Sequence, residues 1–116
     1  MKIKNLIIAL LTLISAAAEA QSFNDFFTDK TLRVNFILGG NANSQNIYIS
    51  NMNSIDGWYG RKNHLAEFPV EGNTQFELKD KKTGKVIYRN SLSTLFQEWQ
   101  TYPEAKTSNR SFENVI

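Results

Sequence analysis

The segment Leu32-Arg33-Val34-Asn35-Phe36-Ile37-Leu38 alternates apolar with more polar side chains, and no other feature restricts the fold of this chain as strongly. A period of two sets Leu32, Val34, Phe36 and Leu38 on one side of an extended backbone, which demands a sheet with one buried face. Each such side chain stabilises by roughly 1.5–3 kcal/mol when it leaves water. Gly39-Gly40 ends this predicted strand, and a polar turn from Asn41 to Gln45 follows. The chain then returns through Asn46-Ile47-Tyr48-Ile49-Ser50, with Ile47 and Ile49 on one side and Tyr48 on the other. An antiparallel pair is expected.

The clearest hairpin lies further on. Thr74 to Asp80 alternates, Lys81-Lys82-Thr83-Gly84 turns, and Lys85-Val86-Ile87-Tyr88-Arg89 returns. Gly84 supplies the positive φ of such a turn, and Asp80 caps it through its side chain. Phe76 and Leu78 are expected to face inward with Val86 and Tyr88 or Ile87.

After the hairpin, Thr94 precedes Gln97 by three residues in the manner of a capping box, with Leu95, Phe96, Trp99 and Tyr102 on one helical face. A short helix over 94–102 is expected, ending before Pro103; Ser91, Ser93 and Thr94 also suit an extended edge. Glu104 to Arg110 reads as a loop, and Phe112 to Ile116 as a last strand that is cut short. No repeat or long linker divides the chain. The expectation is one all-β, mainly antiparallel domain over 21–116, a small β-sandwich of immunoglobulin-like or related type with one short helix.

Residues 1–20 have a different character. Lys2 and Lys4 precede an apolar run from Leu6 to Ile14, and Ala18-Glu19-Ala20 ends in small residues. That is the layout of a signal peptide cleaved after Ala20. The run is short for a bilayer span, which needs ~20 apolar residues. An exported protein is therefore expected, in the periplasm, on the cell surface or outside the cell, with no membrane attachment after cleavage. Removing the leader leaves 11 basic and 10 acidic side chains. So even a balance gives no field for steering to nucleic acid. The chain has no cysteine, which excludes thiol catalysis and disulfide staples.

Catalytic constellations are equally scarce. His64 is the only histidine, so a zinc helix with two histidines one turn apart cannot form, and no Gly-x-Ser-x-Gly elbow is present. Glu67 with Glu71, and Glu98 with Glu104, are the carboxylate pairs that glycoside chemistry could in principle use, but scattered acids on a small sandwich ordinarily face water. No cofactor is expected. The unusual side chains gather in Gly57-Trp58-Tyr59-Gly60-Arg61-Lys62-Asn63-His64-Leu65. In one view Trp58 and Tyr59 form a platform for a sugar or peptide, while Arg61 or Lys62 supplies charged hydrogen bonds. In the other, Trp58 plugs the end of the core, Gly57 and Gly60 permit the turns around it, and Arg61 stacks on an aromatic face.

Three segments carry a family resemblance: Phe23 to Val34, Gly57-Trp58-Tyr59-Gly60-Arg61, and Ser93 to Trp99. With Phe112-Glu113-Asn114, they resemble the N-terminal, non-catalytic domain of the M64 family of secreted, IgA-peptidase-like zinc peptidases of Bacteroidetes, over Gln21 to Val115. The family's zinc site, of His-Glu-x-x-His type, has no counterpart among these residues, so the resemblance implies no ligand or catalytic residue here. It implies an accessory domain that docks on a catalytic domain in cis or presents its substrate. Trp58, Tyr59, Arg61, His64, Phe96 and Trp99 are the candidate recognition or docking residues; a free glycan- or peptide-binding module using the Trp58–His64 loop is the alternative.

Overall fold

A computed structural model of the chain describes residues 22–68 and 72–116. The expected leader, residues 1–20, lies outside the described residues. Five strands form two antiparallel sheets with two short helices, which is an all-β domain of the expected class. Helix α1 (Phe23–Phe26) comes first, followed by β1 (Lys30–Asn41) and β2 (Ser44–Asp56). Next come β3 (Thr74–Lys79), β4 (Val86–Leu92), helix α2 (Leu95–Trp99), a 3-10 turn at Pro103–Lys106, and β5 (Arg110–Val115). The larger sheet has the order β2-β1-β5, and the smaller pairs β3 with β4.

β1 realises the alternation that its sequence demands. Phe36 and Leu38 point into the core, where they meet Phe96, Trp99 and Ala105, with Phe112 and Ile116 packed alongside. The rings of Phe96, Trp99 and Phe112 lie about 6 Å apart in tilted and edge-on pairs, the arrangement favoured by aromatic quadrupoles. α2 starts as its spacing predicts: the Thr94 hydroxyl accepts from the Gln97 backbone N–H at 3.5 Å. Only Phe96 and Trp99 of its expected apolar face are buried, while Leu95 and Tyr102 are exposed. A five-residue helix has too little length to turn four side chains to one side.

Several boundaries differ from expectation. β1 runs through Gly39-Gly40 to Asn41, and the turn to β2 is the pair Ala42-Asn43. Gln100 Nε2 holds that turn by donating to the Asn41 carbonyl at 2.8 Å and the Ser44 carbonyl at 3.3 Å. β2 continues past Ser50 to Asp56, through residues of low β propensity, because β1 supplies a partner for its backbone all the way to Lys30. The expected loop from Glu104 also begins with a 3-10 turn, opened by Pro103.

The β3–β4 hairpin follows its turn chemistry. Gly84 has φ +71°, and the Asp80 carboxylate accepts from the Thr83 N–H at 2.9 Å and the Thr83 hydroxyl at 2.8 Å. A bulge near Leu78 leaves Tyr88 on the face of Leu78 and Phe76, while Ile87 is buried. The Thr83 hydroxyl, then its N–H, holds the Asp80 carboxyl below its ordinary pKa of 3.8. A lowered carboxylate pKa adds stability above about pH 4, and this is lost as pH falls through the lowered value. Thermal melts should therefore show a deficit for Asp80→Ala at neutral pH that closes as the buffer is acidified toward pH ~2.

Candidate recognition loop

The chain between β2 and β3 connects the two sheets, and the aromatic and basic run sits at its start. Gly57 has φ +87°, which lets the chain leave β2 sharply. The Trp58 backbone N–H donates to Asp29 Oδ1 at 3.0 Å, and the Thr31 hydroxyl donates to the Gly57 carbonyl at 2.7 Å. These bonds tie the loop to the start of β1.

Trp58 is half-buried. Its indole lies 5.1 Å from the Phe23 ring, 5.3 Å from Phe27 and 5.8 Å from Tyr88, the last edge-on. The indole N–H donates to the Arg61 carbonyl at 3.0 Å. Gly60 does not need a positive φ; a Cβ there would stand 2.9 Å from the indole Cζ2, so the glycine makes room for the ring. Trp58 is therefore a plug joining α1, the loop and the smaller sheet.

Arg61 is equally engaged. Its guanidinium lies 4.8 Å above the Tyr88 ring and donates to the carbonyls of His64 at 3.2 Å, Leu65 at 3.0 Å and Glu67 at 2.7 Å, and also to that of Arg89. Such charge-assisted bonds fold the segment around a fully buried Leu65 side chain. Arg89 reinforces the seam through Glu77 at 2.9 Å and the Ala66 carbonyl at 3.1 Å.

Other side chains of the run, those of Tyr59, Lys62 and His64 among them, face solvent. Tyr59 is 81% exposed; Lys62 reaches over the Phe23 ring at 5.3 Å; His64, at φ +53°, places Nδ1 3.2 Å from Glu67 Oε2 with both side chains exposed. Two open depressions of the surface, one at Phe68, Gln75, Glu77 and Lys79 and one along Gly39, Tyr48 and Asn109, include none of these three residues. Phe96 and Trp99 are 0% and 4% exposed, so they support the fold from within and reach no partner without opening the core. The sequence pattern pointed to their helical face but did not say that β1 and β5 would cover it.

The acidic candidates are also placed. Glu98 accepts from the Tyr102 hydroxyl at 2.9 Å, whereas Glu104 bridges Trp99 Nε1 at 3.1 Å and Arg110 at 2.8 Å. Glu71 lies outside the described residues. Among the described residues no group of three or more His, Asp or Glu side chains is placed to hold a metal ion, and no helix is long and apolar enough to cross a membrane.

No curated protein matches the chain. A family model described as the N-terminus of peptidase M64 matches residues 22–116, which takes in every element of both sheets. The match covers more than half of the chain and agrees with the resemblance carried by the Phe23, Gly57 and Ser93 segments: this chain belongs to the M64 peptidase N-terminal domain family.

Proposed function

We propose that the chain is the exported, non-catalytic accessory domain of an M64-type zinc peptidase, and that it works by docking on the catalytic domain and helping to present substrate to it. The family match over residues 22–116 is the observation that carries this proposal, because the matched region is the N-terminus of the peptidase. Export follows from the lysines, apolar run and small residues of positions 2–20. The free-standing binding module gains less support. A sugar or peptide platform needs an available ring face, and Trp58 is already packed against Phe23, Phe27 and Tyr88 while Arg61 is committed to backbone carbonyls.

Incubation of the purified chain with zinc and a panel of peptides tests the non-catalytic part of the proposal. No cleavage above a buffer control is expected. Robust cleavage that a chelator abolishes would refute it.

A further inference from the structure

One face of the larger sheet is built for burial over a greater length than the domain itself covers. β1 places Leu32, Val34, Phe36 and Leu38 on that face, and the register sets Met52 opposite Val34, Ile49 opposite Phe36 and Ile47 opposite Leu38. The core takes up Phe36, Leu38 and the neighbouring Phe112. Beyond them, Leu32 is 48% exposed, Ile47 56%, Ile49 61% and Met52 59%. The opposite face of the same two strands is more mixed: it pairs Arg33 with Asn53 and Asn35 with Asn51, which suit water, between the pairs Thr31 with Ile55 and Ile37 with Tyr48. A contiguous solvated apolar face of this kind marks an interaction surface. β2 is also an edge strand, with no charged residue before Asp56 and no proline, so nothing in its sequence blocks a neighbour from closing on it.

The path of the chain says what covers this face. Beyond β5, Ile116 pairs with Val34: its N–H donates to the Val34 carbonyl at 3.0 Å, and its carbonyl accepts from the Val34 N–H at 2.7 Å. Residues that follow this position in a longer family member therefore start beside Val34 and Leu32, at the margin of the bare face. The matched region is the N-terminus of the peptidase, so in such a member those residues lead to the rest of the enzyme. The geometry points to the peptidase catalytic domain as the occupant, seated through an apolar, weakly charged surface on Leu32, Val34, Ile47, Ile49 and Met52. This inference rests on the accessory-domain proposal and adds the surface to it.

Isothermal titration of the chain against the separately expressed catalytic part of an M64 peptidase tests the surface. The doubly substituted Ile49→Lys, Met52→Lys chain is compared with wild type and with Asn53→Lys on the opposite face. All three should melt alike, because the altered side chains are exposed. The double variant is expected to bind about tenfold more weakly or worse, as for loss of an apolar anchor, with Asn53→Lys unchanged. Equal binding by all three chains would overturn the surface and leave the accessory role standing. Absence of binding by the wild type would overturn both. Self-association of the wild type that the double variant loses, and with which the catalytic part does not compete, would give the face to a second copy and overturn the inference.

Discussion

Phe96→Ala is expected to destabilise the chain by about 3–5 kcal/mol, the largest effect of any single substitution considered, because it removes a large side chain from a closed site. Phe96 is fully buried, and its ring meets those of Trp99 and Phe112 at 5.9 and 6.1 Å. The cavity would open at the one place where α2 joins β1 and β5. A loss of this size is comparable to the whole stability of many small domains, ~5–15 kcal/mol. Chemical denaturation should show a lower midpoint with an unchanged slope. An unchanged midpoint would mean that this cluster is not the centre of the domain.

Trp58→Ala is expected to cost about 3 kcal/mol, at the lower end of the range for a large aromatic because the ring is only half-buried. The substitution deletes ring contacts to Phe23, Phe27 and Tyr88, each contributing roughly 0.5–1.5 kcal/mol beyond burial. It also strands the Arg61 carbonyl, which accepts the indole N–H. Trp58→Phe should recover part of the packing but not this hydrogen bond. A melt in which Trp58→Ala keeps its midpoint while binding to a glycan or peptide is lost would instead establish the loop as a recognition site.

Local chemistry was the part of the fold most visible in the sequence. Asp80 and Gly84 specify the β3–β4 turn within a few residues, and Thr94 with Gln97 starts α2, so neither depends on distant partners. The plug formed by Trp58 was legible for the same reason, since glycines on either side of an indole announce a tight loop. The second half of β2 was hidden, because Asn51, Asn53 and Ser54 extend only when β1 is available to pair with them. α1 is not legible either: four residues carry no helical period, and Phe23 is held by distant partners, Trp58 and Lys62, as well as by Phe27. The same limit applies to the proposed docking surface. Alternation sets Ile47 and Ile49 on one side of a strand, but Leu32 and Met52 join them only through the register between two strands and a bulge at Asn35/Phe36.

That surface gives the domain a division of labour. The rings around Phe96 pack α2 onto the larger sheet, those around Trp58 tie α1 and the loop to Tyr88 of the smaller one, and the bare part of the larger sheet is the face proposed for docking. The exposed Tyr59, Lys62 and His64 lie on the loop that packs on the other sheet, away from that face.

The most direct measurement is the melting temperature of an M64 catalytic part, recorded alone and with increasing amounts of this chain. Binding to the folded form alone raises the midpoint by mass action, about 2.7 kcal/mol of added stability at a hundredfold excess over Kd. A saturable rise is the predicted result. A midpoint that stays fixed at every concentration would contradict an accessory domain that docks on the peptidase.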